Sequence, residues 1–349
     1  MLTDMSRTRR SVLASIGAGT ALTAGCLGVP GSDENQRVSL MLNWTPNGLH
    51  VPYYAAKAQG FYAEEGVEVT EIVGGDGSDA SARQAGLGNN EFAVTSSDQV
   101  LLTTGGGVDV QSIGAMMQQS ANVVFSTREA FGGELTDPQQ LAGKTVGTGP
   151  GMVRMLTELY LQEVGVREDV ELVGTGYETV QRVLAGEVDA AGGVFGDAID
   201  ARYQGATVDS LNVAAEVPSY GHVLATAPSF AEENPETVSA FLRGTARGAA
   251  WATNNPEGGV DALVEANESI SEVREQARDT WETLASDHIV GPAVEEHGWG
   301  WHESEPWTTV AEALESADSG QVAPTEDVWT NEYLDTEFEY IGSYTNQIS

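Results

Sequence analysis

The sequence predicts an α/β fold, and three observations carry that reading. Val38, Leu40 and Leu42 alternate over residues 37–42, the period of a half-buried strand. The stretch Asn43-Trp44-Thr45-Pro46-Asn47 then breaks the pattern as a loop does. A helical segment follows, with Pro52 in its first turn and Gly60 as its C-terminal cap, and a second strand begins at Val67. Finally, helix, glycine and strand recur in the same order twice: residues 80–87, Gly88 and 92–95, then residues 177–184, Gly186 and 188–191. In open α/β sheets, ligands bind at loops beyond the carboxyl ends of strands. Asn43, Trp44, Asn47 and His50 are therefore the first candidate ligand contacts, although His50 also suits capping the helix it precedes.

Composition narrows the partners. The 349 residues carry a formal net charge of -36, and Lys57 and Lys144 are the only lysines. Such a charge disfavours nucleic acid and anionic membrane surfaces. With 41% of residues hydrophobic, the acids decorate a folded chain rather than a disordered one. An acidic surface almost without lysine resembles proteins of extreme halophiles, where dense counterions screen the repulsion. That accounts for the charge without an acidic functional site.

Residues 1–30 form a targeting segment and tether, set apart from the fold. Thr8-Arg9-Arg10 followed by Ser11, Val12 and Leu13 resembles a twin-arginine export signal. The small, apolar run after it is too short to span a bilayer comfortably. It ends in Thr23-Ala24-Gly25-Cys26, which resembles a lipobox with Cys26 as the lipidated residue. Cys26 is the only cysteine, so no disulfide forms within one chain. The expectation is an exported protein held at the outer face of the cytoplasmic membrane by that anchor.

The opening motif also carries a family resemblance. Leu42-Asn43-Trp44, Pro46, His50 and Pro52, then Ala56, Gly60 and Phe61, resemble the start of substrate-binding proteins related to thiamine-pyrimidine precursor biosynthesis. Thr330-Asn331-Glu332-Tyr333-Leu334, near the carboxyl end, strengthens the likeness. The resemblance implies a two-lobed type II periplasmic binding protein fold with a hinge and an inter-lobe ligand cleft. Lobe 1 would be residues 37–124 and 224–349, and lobe 2 residues 125–223. It also implies an ABC permease and ATPase as partners, a monomeric state and no cofactor.

Later strand ends supply the other candidates. Ser96 and Gln99 follow the first repeated strand; helix capping is the alternative role for Ser96. Gly149, Gly151 and Met152 form a glycine-rich loop before a helix, where free backbone N–H groups suit an acceptor or anion. No Gly-Lys-Ser/Thr follows, so it is not a P-loop. Tyr177 and Glu178 follow a strand at 170–173, and Phe195 and Asp197 follow the second repeated strand. Tyr220, in Pro218-Ser219-Tyr220-Gly221, is similar to a hinge-side segment of the family and a candidate pocket wall. Residues 213–215 read as a strand, and 256–266 and 271–286 as amphipathic helices. His297 and His302 lack the spacing of a zinc site, and no metal is expected.

No nucleophile–base pair, Gly-x-Ser-x-Gly elbow or zinc motif is present, so an enzyme is not expected. The yeast-type pyrimidine precursor synthase shares both terminal motifs. Its cofactor lysine and reactive histidine would fall within residues 93–101, which hold neither, and its cysteine-rich run near 218–226, which holds no cysteine. The chemistry expected is reversible capture of a flat heteroaromatic ring: stacking on Trp44, with Tyr220 or Phe195 as further walls. Asn43, Asn47, His50 and Gln99 would read its edge from lobe 1, and Glu178 and Asp197 from lobe 2. The alternatives are riboflavin, a sulfonate- or nitrate-type anion held by Arg83, Arg128 or Arg154, and a degenerate precursor synthase.

Overall fold

The computed structural model describes residues 35–348; the expected export signal and the expected lipidation site Cys26 lie outside the described residues. Ten strands form two five-stranded sheets. The first contains β1 (Gln36–Met41), β2 (Val67–Val73), β3 (Phe92–Ser96), β4 (Gln111–Ala115) and β10 (His222–Thr226), in the order β2-β1-β3-β10-β4. The second contains β5 (Asn122–Thr127), β6 (Thr145–Thr148), β7 (Glu171–Gly174), β8 (Ala190–Val194) and β9 (Val208–Asn212), in the order β7-β6-β8-β5-β9. The two sheets thus share one plan: parallel strands with a single reversed strand next to one edge. This is the two-lobed α/β arrangement.

The reversed strands are those that follow each passage between sheets. The chain leaves β4 through residues 116–121 into β5, and leaves β9 through 213–221 into β10. Both passages start from the carboxyl end of a strand, so the next strand enters its sheet at the carboxyl edge and runs backwards. The expected boundaries at 124/125 and 223/224 would each cut a strand; the passages lie just before β5 and β10 instead. The strand expected at 213–215 is a 3-10 turn, because the Asn212 side chain accepts from Ala214 N and turns the chain.

Helix Pro235–Asn254 closes the back of the first sheet. Phe241 stacks on Phe92 with centroids 3.9 Å apart and on Tyr62 at 5.3 Å. Gly244 and Gly248 let it approach closely: a Cβ at Gly248 would lie 2.6 Å from both Pro52 O and Ala56 Cβ. Contacts outside the passages also join the lobes, and Tyr203 Oη donates to Asp279 Oδ2 at 2.8 Å. Met152 and Met155 pack against the apolar clusters of both sheets, and Phe195 packs on His288. Among the described residues, no helix is long and apolar enough to cross a membrane.

Asp98 is the one fully buried acid among the described residues. The remaining acids therefore repel one another across solvent, over a screening length of about 10 Å at 0.1 M salt and about 3 Å at 1 M. The melting temperature should accordingly rise between about 0.1 M and about 3 M KCl. A melting temperature independent of salt would show that surface repulsion does not limit stability.

Candidate functional site

The loop after β1 is held from two sides. Gly75 N donates to Trp44 O at 3.1 Å, and Gly75 lies so close to the Leu42 carbonyl that any Cβ there would collide with it. This explains the glycines of the 74–79 loop: they buttress the segment that carries Trp44. The Trp44 side chain is 50% exposed, whereas Trp281, Trp299 and Trp307 are fully buried.

Beside Trp44 the chain builds a polar cluster. The Asn47 side chain accepts from Leu49 N at 2.9 Å, and Asn47 N donates to His50 Nδ1 at 3.2 Å. His50 is buried and its Nε2 lies 2.9 Å from Asn43 Oδ1. Asn43 Nδ2 lies 3.0 Å from His222 Nε2. The two imidazoles are nearly parallel, at 4° with centroids 6.1 Å apart. Burial pushes both histidines below their ordinary range, His222 to about 4, so both are neutral at neutral pH. Asn43, Asn47 and His50 are thus brought together, and His50 packs in the cluster as well as preceding the helix.

His222 was not among the residues singled out from sequence. It is the first residue of β10, and reversal of that strand sets it opposite Ser96 at the end of β3. Asn122 occupies the corresponding place in the second sheet, opposite Val194 at the end of β8. Asp98 was also missed, although its place just after a strand end could have marked it. Gln99, expected to read the ligand, donates instead to Asp98 Oδ2 at 2.8 Å. Burial raises the Asp98 carboxyl, an effect opposed by the Ser96 and Gln99 side chains. Ser96 precedes helix Ser97–Gly105 without a side-chain capping bond. Asp98 Oδ1, Asn122 Nδ2 and His222 Nδ1 are all buried without a hydrogen-bond partner. An unsatisfied buried polar atom costs about 1–3 kcal/mol; these three, among ten such atoms in the described residues, belong to residues at or just beyond the carboxyl edges of the two sheets.

The second-lobe candidates divide. Gly149 comes close to the Gly176 carbonyl, so the loops after β6 and β7 adjoin, and Gly151 has φ +70°. Met152 bridges the two cores rather than standing free. Tyr177 is 91% exposed; Glu178 is exposed and pairs with Arg182 at 3.6 Å. The two expected walls pack against neighbouring rings. Phe195 is buried with its ring stacked on His288 at 4.6 Å. Tyr220 is buried against His302 and Trp307, and its hydroxyl accepts from Glu303 N at 2.6 Å. Asp197, expected as an edge reader, accepts from Val194 N through Oδ2 at 2.8 Å and closes the start of helix Phe195–Tyr203. Burial also raises its carboxyl.

Of the arginines considered for an anion, Arg128 is taken up by Asp209 and Glu134. Arg83 is exposed on helix Ser78–Gly86. Arg154 reaches Thr148 Oγ1 at 3.4 Å beside the glycine loop. A cavity of about 610 Å³ lies elsewhere, between helices Met152–Glu163 and Ser304–Ser316, lined by Glu158, Leu159, Glu216, Val217 and Glu312. No residue singled out for ligand contact lines it.

A profile described as NMT1/THI5 like matches residues 47–258. The formylaminopyrimidine-binding protein of Halalkalibacterium halodurans is 27% identical over 313 residues, covering 84% of this chain and 90% of that protein. The riboflavin-binding protein RibY of Chloroflexus aurantiacus is 27% identical over 312 residues, 86% of each chain. A 4-amino-5-hydroxymethyl-2-methylpyrimidine phosphate synthase of Legionella pneumophila is 27% identical over 257 residues, 67% of this chain and 75% of the enzyme. Among solved structures, the periplasmic aliphatic sulphonate binding protein SsuA of Escherichia coli matches with a TM-score of 0.67 and 13% identity, over 85% of this chain and 92% of that one.

The carboxyl-terminal motif has a structural explanation. Asn331 Oδ1 accepts from His302 N at 2.8 Å and its Nδ2 donates to His302 O at 3.0 Å. This clamps an imidazole stacked on Trp329 and Trp307. Burial lowers His302 to about 3, against about 6.5 in an unfolded chain. Between those values the unfolded chain binds the proton and the fold does not. The stability involved is therefore complete above about pH 6.5 and lost as pH falls towards 3. His302→Gln should lower the melting temperature at pH 7.5 and flatten its decline between pH 6.5 and 4. A decline as steep as that of the unsubstituted protein would show that His302 does not contribute to it.

Proposed function

The chain belongs to the NMT1/THI5-like family, and from that premise we propose that it is the extracytoplasmic solute-binding protein of an ABC importer. Its ligand is a small heteroaromatic molecule, foremost a thiamine-related pyrimidine precursor. The observation that carries this reading is the Asn43–His50–His222 cluster with the half-exposed Trp44 next to Asn43 in the same loop, which we read as a polar reader and an open stacking plate. The 27% identity to a formylaminopyrimidine-binding protein over most of both chains supports the same ligand class. The two lobes close on the ligand by bending at residues 116–121 and 213–221, and the closed form engages the permease and its ATPase.

Export through the twin-arginine signal and anchoring at Cys26 complete the proposal. The protein acts as a monomer at the outer membrane face of a halophile, needs no cofactor and carries out no catalysis. A second reading, riboflavin capture, is supported by the likeness to RibY. A precursor synthase is disfavoured because residues 93–101 contain neither lysine nor histidine; pyridoxal phosphate absorbance after reconstitution would reverse that judgement. Capture of a bare anion is disfavoured by the pairing of Arg128.

A thermal-shift panel in high salt tests the ligand class, with aminopyrimidines, thiamine, riboflavin, taurine and nitrate. A ligand at about a hundred times its dissociation constant stabilises by roughly 2.7 kcal/mol. Aminopyrimidines should shift the melting temperature; a shift with taurine or nitrate alone would move the reading to an anion receptor. Trp44→Ala should weaken aminopyrimidine binding by roughly 1–3 kcal/mol, the range of base–aromatic stacking. Unchanged affinity would remove Trp44 from the site.

A further inference from the structure

The hydrogen bonds around His50 and His222 have only one consistent order of protons. Asn47 N is a backbone donor, so His50 Nδ1 must accept from it. A neutral His50 then carries its proton on Nε2 and donates it to Asn43 Oδ1. The Asn43 amide cannot be turned over, because His50 would then accept at both nitrogens and hold no proton at all. With Asn43 so oriented, its Nδ2 donates and His222 Nε2 accepts. The His222 proton therefore sits on Nδ1, the atom left buried without a partner. A backbone N–H thus sets the polarity of a side chain far along the sequence.

We propose that His222 is a specificity-determining residue of the ligand site. Its Nδ1–H, oriented by the Asn47–His50–Asn43 relay, donates a hydrogen bond to a ring nitrogen or carbonyl oxygen of the ligand. This rests on the reading of the cleft as a heteroaromatic site and adds a requirement to it: the ligand presents an acceptor at the start of β10. A ligand offering only a donor at that point meets an N–H it cannot satisfy. His222 stands opposite Ser96 across the β3–β10 pair, two residues before buried Asp98, whose Oδ1 is also unpartnered. An acceptor for one group and a donor for the other is the pattern of an aminopyrimidine edge, with a ring nitrogen beside its exocyclic amino group.

The test combines nitrogen spectroscopy with four substitutions in the full-length chain. With histidine labelled with nitrogen-15, His222 should show a protonated, pyrrole-like Nδ1 and a pyridine-like Nε2 in the free protein. The opposite assignment overturns the relay. Asn43→Asp replaces the amide donor by a second acceptor oxygen and should move a proton onto His222 Nε2; a pyridine-like Nε2 in that variant also overturns it.

Binding of formylaminopyrimidine and riboflavin is then measured for His222→Phe, His222→Gln and His222→Asn, after thermal melting confirms that each folds. Phenylalanine keeps the ring packed on His50 but removes the donor. Glutamine places its amide nitrogen near the former Nε2, and asparagine near the former Nδ1. The phenylalanine and glutamine variants should lose about tenfold or more in affinity, while asparagine stays within a few fold. Equal affinity in all three, or an equal loss in all three, rejects donation from Nδ1. If the unsubstituted protein binds neither probe, the proposed ligand class fails, and the nitrogen spectrum still decides where the His222 proton lies.

Discussion

The structure depends on a constraint of connectivity. Each sheet receives one strand directly from the other, and each passage leaves from a strand's carboxyl end. The receiving strand can only enter at the carboxyl edge of its new sheet, which forces β5 and β10 to run against their neighbours. Two consequences follow. The first residues of these strands, Asn122 and His222, are delivered beside the strand ends where open α/β sheets bind ligands. The same two passages are the covalent links between sheets, so the residues that end them stand at the carboxyl edges of both sheets.

Around that edge the chain keeps polar groups in places where burial is costly. Asp98 is the one fully buried acid among the described residues of an otherwise acid-coated protein, and it retains an unpartnered oxygen. Placement on the surface would have avoided that desolvation, which among the other acids also reaches Asp197. The His50–Asn43–His222 cluster is likewise rigid: stacking and hydrogen bonds fix every member, and burial keeps both imidazoles neutral. In the proposed site, a polar reader and an exposed indole would separate two tasks, since stacking tolerates many flat rings whereas ordered donors and acceptors discriminate among them.

The arginines show a complementary economy. Arg243, Arg247, Arg274 and Arg278 are drawn into ion pairs on the helical back of the first lobe, and Arg128 into pairs at the second sheet. These pairs relieve acidic repulsion locally. Arg154 instead reaches a threonine hydroxyl beside the glycine loop.

The sequence by itself determined the α/β class, most strands, the loop carrying Trp44 and the helix 256–266, because period, proline and glycine act over a few residues. It also marked Asn43, Asn47 and His50, which share one loop and turn and fold against each other locally. Three further roles were decided only by tertiary structure. Tyr220 and Phe195 read as pocket walls but are buried by Trp307, His302 and His288, residues distant in sequence. Asp197 reads as a ligand acceptor but spends an oxygen on Val194 N. His222 carries no local signal, being the ordinary start of a short strand. Its place beside Asn43 and His50 follows from strand reversal and from the hydrogen bond to Asn43 that closes only when the β1 loop and β10 meet.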